Sequence, residues 1–312
     1  MKRLCLFAIG CLVVFVAVNL TGCRDDCSII NLGPGQEYDC GIDTRSYLLY
    51  APGSYDPSAP AALVVDMHGM GSNAEQQAGL EDYETPEGIV YSGMGSGYRM
   101  VADREGFVVA TPQCKGQLWT QTDLDFLDEV VAEIKNAADI DRVYITGISN
   151  GGQITYWAGC QQDDDTYQGL SAASSNLKNE SCESIFRPAP LIAFHSPDDQ
   201  TIDPEQGYDA ALAWALANGC YPVDPHPSMT FGGPGAGPEP VCYRESNGEF
   251  ELVSCDVNDP ATACVTWDRC DNGVEVVFCT VPPDPGTTGH ILYRNGTKLS
   301  LAAVAWEFWD RF

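Results

Sequence analysis

The sequence predicts an α/β protein: a mostly parallel, doubly wound sheet with a cysteine-bearing loop inserted before the last strand. Three observations carry this. Short apolar runs such as Ala62–Met67, Gly106–Pro112 and Pro190–Phe194 are nearly continuous, as in strands buried on both faces. Helical stripes alternate with them; in Asp123–Ala137 the residues Phe126, Leu127, Val130, Val131 and Ile134 share one face. The 312 residues, finally, are enough for one large core of this kind.

In chain order, Arg24–Gly41 is a polar, glycine-containing lead-in that Cys27 and Cys40 are placed to staple. Ser46–Pro52 reads as a strand halted by proline, and Tyr55–Pro60 as a turn. The strand Ala62–Met67 runs into a loop, His68-Gly69-Met70-Gly71-Ser72-Asn73. After the strand at 106–112 and the helix at 123–137 comes Val143–Ile148, a β-branched run that turns through Gly147-Ile148-Ser149-Asn150-Gly151 into a helical stretch at Gln153–Cys160. A short strand is expected at Gly169–Ser174, another at Pro190–Phe194, and a helix over Pro204–Asn218 that ends at Gly219. Tyr221–Thr266 breaks the rhythm: rich in Pro and Gly, with Cys242, Cys255 and Cys264, it is expected to be an inserted loop pinned by disulfides. A strand resumes at Val274–Phe278, and Leu301–Phe312 is expected to close the chain as an amphipathic helix.

The N-terminus carries a targeting pattern. A basic start (Lys2, Arg3) and the apolar run Leu4–Val18, short for a bilayer span, close on Leu20-Thr21-Gly22-Cys23. That ending resembles the bacterial lipobox, so residues 1–22 are expected to be removed and Cys23 to carry lipid at the cell envelope; plain secretion, with Cys23 kept for a disulfide, is the alternative. Of 14 cysteines, Cys5 and Cys11 leave with that segment and 12 remain, a density typical of exported proteins. Lipid on Cys23 leaves an odd number, hence one unpaired thiol. The formal charge of −28 becomes −30 when Lys2 and Arg3 are lost. Nucleic acid and anionic membrane surfaces are therefore poor partners, and a lipid anchor is the expected route to a membrane.

The chemistry centres on Ser149. Gly-x-Ser-x-Gly between a strand and a helix is the nucleophile elbow, which projects the serine hydroxyl from a strained turn. A serine needs a base, and the base needs an orienting acid. There are four histidines: His68 and His195 end strands, His226 lies in the insertion, and His290 follows the last predicted strand in a small-residue loop. His290, after the last predicted strand, satisfies the order serine, acid, histidine and is the expected base. Asp198, Asp199 and Asp203 all follow the strand at 190–194, and composition does not choose between them. The backbone N–H groups of Asn150 and Met70 are the expected oxyanion donors, with His68 holding the loop as a structural imidazole. Trp119, Ile291 and Tyr293, together with Leu292, are expected to line the substrate site, or in the case of Leu292 and Tyr293 to pack beneath the loop. The cysteines do not form Cys-x-x-Cys pairs or interleave with histidines, and the chemistry asks for no metal or organic cofactor.

From about Arg45 onward the chain resembles the poly(3-hydroxybutyrate) depolymerase and feruloyl esterase group of α/β-hydrolases. Arg45–Tyr50, His68-Gly69, Asp141–Gly152, Ala193–Asp199 and Gly289-His290 carry the likeness. The resemblance implies an α/β-hydrolase fold and a serine esterase without cofactor, acting on a small or polymeric neutral ester. The group's His-Gly-Thr-x-Asp pattern, with its acid four residues after the histidine, implies Asp199. Asn218-Gly219-Cys220 and Cys270 imply a disulfide between those two cysteines; Cys160 and Cys182 are expected to form another near the same edge of the sheet. Ser196 replaces the group's usual glycine, Ile291-Leu292-Tyr293 replaces its Trp-Pro-Gly run, and the long insertion is unusual. A serine peptidase, or a binding lipoprotein that keeps the fold without catalysis, is the alternative function.

Overall fold

An apolar run with no polar face must be covered on both sides, and the sheet is built around such runs. The structure, a computed structural model, describes residues 32–85, 88–91, 95–161, 165–177, 188–220, 241–246, 249–254, 263–281, 288–290 and 300–312. In chain order these form β1 (Gln36–Ile42), β2 (Arg45–Ala51), β3 (Ala61–Met67), α1 (Ala74–Gln77), β4 (Tyr83–Glu84), β5 (Val90–Tyr91), α2 (Tyr98–Glu105), β6 (Val108–Pro112), α3 (Leu124–Ala137), β7 (Ile140–Ile148) and α4 (Asn150–Gln161). They continue with β8 (Gly169–Ala173), β9 (Leu191–His195), α5 (Pro204–Ala217), β10 (Val241–Ser246), β11 (Glu249–Ser254), β12 (Ala263–Trp267), β13 (Val276–Thr280) and α6 (Leu301–Trp309).

Nine strands form one sheet in the order β1-β2-β6-β3-β7-β8-β9-β13-β12. The six from β6 to β13 run parallel, and the edge pairings β1–β2, β2–β6 and β13–β12 are antiparallel. Along β3, Leu63, Val65 and Met67 face a core shared with α3, α4 and α5, while Ala62 and Val64 face a second core under α2 and α6. The sheet is thus wound on both faces, as its apolar runs require.

Four local expectations change. The lead-in contributes a strand: Gln36–Ile42 pairs along its whole length with β2. It escapes notice because an edge strand with a mostly exposed or half-exposed pattern carries little apolar signal. The insertion ends earlier than Thr266, because Ala263–Trp267 is the outer strand of the main sheet. The closing helix is not amphipathic; apart from half-buried Glu307, every residue of α6 is buried, which suits a helix apolar all round. Trp309 stacks on Tyr144 with ring centroids 4.7 Å apart, and its indole N–H donates to the Leu170 carbonyl at 3.1 Å. The fourth change is α2, which buries only Tyr98, Val101 and Ala102 and so shows no strong stripe in the sequence.

Cys220–Cys270 is a disulfide, and so is Cys264–Cys279, which joins directly opposed residues of β12 and β13. The second pairing does not follow from the sequence, where Cys264 reads as part of the insertion. Cys40 and Cys160 are also disulfide-bonded. Cys27 and Cys182, their expected partners, lie outside the described residues, as do the targeting segment and Cys23. Disulfides in this number belong to an oxidising, extracytosolic compartment. Among the described residues, no helix is long and apolar enough to cross a membrane.

Candidate active site

The site sits beyond the C-terminal ends of the parallel strands, where open α/β sheets bind ligands. β7 delivers Ser149, which takes a left-handed backbone with φ of 56°. Only a tightly supported turn holds a serine there. Its N–H donates to Ala173 O at 2.9 Å, and its own carbonyl accepts from Gln153 N at 3.0 Å and Ser175 Oγ at 2.8 Å. The flanking glycines are dictated by space. A Cβ on Gly151 would fall onto the Met67 carbonyl oxygen and within 2.6 Å of His68 O, and one on Gly147 would strike Gly151 itself. The strand, the turn and the helix can close this tightly only without those atoms.

Three side chains from distant parts of the chain meet at this turn. His290 Nε2 lies 2.9 Å from Ser149 Oγ, and its Nδ1 lies 2.9 Å from Asp199 Oδ2 and 3.1 Å from Oδ1. With Nδ1–H donating to the carboxylate, Nε2 is left to accept the serine proton. The Asp199 side chain is fully buried, whereas that of His290 keeps some contact with solvent. Burial pushes the Asp199 carboxyl up, but it is outweighed by hydrogen bonds from His195, His290 and Thr201 N–H and by the His290 charge. The carboxyl is held well below the usual carboxylate range. Asp198 points its backbone N–H at Ser196 Oγ (3.1 Å) and takes no part in this chain of contacts. Ser196, in place of glycine, therefore caps the acid's own turn.

The loop after β3 passes beside Ser149: a Cβ on Gly69 would lie 3.6 Å from that of Ser149. His68 is buried in it, with Nδ1 2.8 Å from Gly69 O and Nε2 3.3 Å from the Cys114 N–H. A carbonyl accepts and an N–H donates, so the proton sits on Nδ1 and the ring is neutral. Burial pushes its pKa down to about 4, despite the Gly69 contact. It is a strut. Met70, by contrast, is 65% exposed.

Trp119 is corrected. Expected to line the substrate site, it is instead wholly buried; its ring packs 5.2 Å from His68, and its indole N–H donates to His68 O at 2.9 Å. An indole in the core needs a partner for its N–H, and this one finds it in the backbone of the loop. Ile291, Leu292 and Tyr293 lie outside the described residues.

Two contributions escape the sequence reading. The Asn150 side chain clamps the Trp119 backbone from both sides, with Oδ1 accepting from Trp119 N at 2.5 Å and Nδ2 donating to Trp119 O at 3.1 Å. His195, set aside as a base, lies beside the acid. No composition signal separates an Asn that supplies only a backbone N–H from one that also ties a loop, but the four-residue spacing of His195 and Asp199 is visible. Among the described residues, no group of three His, Cys, Asp or Glu side chains could hold a metal ion.

The sheet order and the strand–serine–helix turn define the class, an α/β-hydrolase. No family model matches the chain. Feruloyl esterase C of Emericella nidulans is 23% identical over 274 residues, covering 84% of this chain and 95% of that one. Feruloyl esterase B of Piromyces equi is 24% identical over 252 residues, 76% of this chain but only 41% of the relative's length. Among solved structures, an acetyl xylan esterase from Aspergillus awamori superposes with a TM-score of 0.54 at 16% identity, covering 88% of this chain and 98% of that chain. The chain is thus similar in sequence to feruloyl esterases and in fold to an acetyl xylan esterase.

Proposed function

We propose that the chain is a serine carboxylic-ester hydrolase working through an acyl-enzyme. The observation that carries the reading is the unbroken hydrogen-bond chain from Ser149 Oγ through His290 to Asp199, with 2.9 Å at each link. His290 Nε2 takes the Ser149 proton as Oγ bonds to the ester carbonyl carbon, and Asp199 stabilises the imidazolium that forms. The backbone N–H groups of Asn150 and Met70 are the donors to the tetrahedral oxyanion, aided by the positive end of α4. As the carbon–oxygen bond breaks, His290 returns the proton to the leaving alcohol. Water then gives a proton to His290 as its oxygen bonds to the acyl carbon, and as the bond to Oγ breaks His290 returns the proton to Ser149, releasing the acid. The steps consume one water and need no cofactor.

The relatives named as feruloyl esterases support feruloyl or acyl-sugar esters as the substrate class beside polyhydroxyalkanoate-type esters, and methyl ferulate as a first model. The charge of −28 favours neutral acyl groups, since carboxylates are repelled on approach. We propose further that Cys23 anchors the exported protein through lipid. Removing it from the 12 cysteines of the mature chain leaves one unpaired thiol, and Cys114 is the free, buried cysteine among the described residues.

Fluorophosphonate labelling of the wild type and of Ser149→Ala, beside hydrolysis of p-nitrophenyl esters, methyl ferulate, polyhydroxybutyrate film and a matched anilide, tests the reading. Labelling lost in the variant and turnover of the esters are expected. Faster cleavage of the anilide than of its ester would make the protein a peptidase. An unlabelled, inactive wild type would make it a binding protein.

A further inference from the structure

Beyond the three residues of that reading, and resting on it, we propose that His195 is a positioning residue: its imidazole holds the Asp199 carboxylate in the orientation that engages His290. His195 ends β9, four residues before the acid, and is almost wholly buried. Its Nε2 is 3.0 Å from Ile202 O and 3.0 Å from Asp199 Oδ2. A carbonyl cannot donate, so Nε2 carries the hydrogen and divides it between the two acceptors. One ring therefore grips the acid's side chain and the far end of the acid's loop at once.

The remaining contacts explain why a grip is needed. Thr201 N and Ile202 N donate to Asp199 Oδ1 at 2.8 and 3.1 Å, while Oδ2 faces both His290 and His195. Without His195, Oδ2 has only His290 to hold it, and the carboxylate is free to turn about its last bond toward the backbone donors. Room for the ring is built into the fold. A Cβ on Gly207 of α5 would overlap His195 Nδ1 and lie 2.9 Å from Cε1, and Phe278 of β13 packs on another side with centroids 6.5 Å apart. Glycine within a helix is otherwise unfavourable. Asp199 is the charged group facing His195, and it in turn faces His290.

A carboxylate turned away from His290 stabilises the protonated ring less, so loss of His195 moves the acidic limb of kcat/KM to lower pH. The test compares His195→Phe, His195→Gln and Gly207→Ala with wild type in steady-state pH profiles on a p-nitrophenyl ester, with folding checked by circular dichroism. For His195→Phe we expect kcat to fall roughly tenfold at constant KM, equivalent to about 1.4 kcal/mol, with the acidic limb moved to lower pH. His195→Gln keeps a donor near Nε2 and should recover most of the rate and the original limb. Gly207→Ala pushes the ring without altering any titrating group and should copy His195→Phe. The proposal is overturned if folded His195→Phe keeps the wild-type kcat and limb, or if Gln is as impaired as Phe with the limb unmoved, which marks a merely space-filling ring. Should His195→Phe not fold, an unchanged profile in Gly207→Ala overturns it equally. Ser149→Ala runs beside them: retained hydrolysis there sinks the serine mechanism itself, a result no His195 variant can produce.

Discussion

Replacing Asp66 with asparagine should stabilise the protein above neutral pH and leave it nearly unchanged in mild acid. Asp66 lies on β3 one residue before the strand gives way to the loop that passes Ser149, and it is wholly buried. It borders a cavity of about 30 Å³ lined by Gln77, Ser96, Tyr98, Thr146 and Ser171, room for about one water. Gln77 Nε2 donates to Oδ1 at 2.7 Å, and the Ser96 hydroxyl is hydrogen-bonded to Oδ2. No cation is among the described residues lining this cavity. Burial therefore dominates, against the two side-chain hydrogen bonds, and pushes the carboxyl from 3.8 up to about 7. A folded pKa above the unfolded one means that the native state holds the proton more tightly. Its stabilisation is full below about pH 4 and is lost as pH rises through about 7. Three pH units correspond to about 4 kcal/mol, of which about 3 kcal/mol falls between pH 5 and 8. Asparagine copies the protonated carboxyl in shape, accepts from Gln77 and donates toward Ser96, and does not titrate. Urea unfolding of both proteins at pH 5 and pH 8 reads the difference, with other charges cancelling between them. The advantage of Asp66→Asn should grow by about 3 kcal/mol across that interval. A constant difference, or a less stable variant at pH 8, would mean that the carboxylate is ionised and partnered, and the burial argument would fail.

Asp199→Asn should lower kcat by about 10⁴-fold, because the amide favours the wrong tautomer of His290, while Asp198→Asn, outside the contact chain, should change it little. Steady-state kinetics decide, and damage from the second rather than the first would move the acid by one residue. Trp309→Ala should cost about 3–5 kcal/mol by denaturant titration, since it removes a buried ring stacked on Tyr144 and leaves Leu170 O without its donor. A loss under about 1 kcal/mol would mean that α6 collapses into the gap. A neutral ester should be turned over with higher kcat/KM than its ω-carboxylate counterpart at low salt, the gap narrowing as salt is added; preference for the charged ester would refute the electrostatic reading.

What can be read from the sequence is whatever burial or steric closure dictates directly. β3, β6, β7 and β9 are apolar along most of their length because both faces are covered, and α3 shows its stripe because one face is. The elbow is legible because no other residues fit: the Met67 and His68 carbonyls exclude a side chain at Gly151. What stays hidden depends on partners far along the chain. β1 and β12 are edge strands whose identity comes from the strand beside them, and α2 buries too few residues to announce itself. Choosing Asp199 over Asp198 and Asp203 takes a family resemblance, because residue type is the same and only the His290 contact separates them. Trp119 misleads for a related reason. A large aromatic in a loop near a site reads as lining, and only the His68 carbonyl reveals that its polar edge is turned inward.

Asp199 and His290 stand 91 residues apart, yet their side chains meet to within about 3 Å. Nearly half of the intervening chain, residues 221–262, is the insertion. The disulfides show how it is contained. Cys220–Cys270 closes a loop of 50 residues at the points where the insertion leaves α5 and returns before β13, which by chain entropy alone is a constraint of about 4 kcal/mol. Cys264–Cys279, with a sequence separation of 15, overlaps that loop and locks β12 onto β13, the strand that pairs with β9 and precedes His290. The path from Asp199 to His290 is therefore short: α5, one cross-link, and β13 lying beside β9, the strand that leads to Asp199. The bonds are readable as a sign of export, but their placement has a mechanical sense of its own. They let the insertion vary in length and composition without moving His290 relative to Asp199.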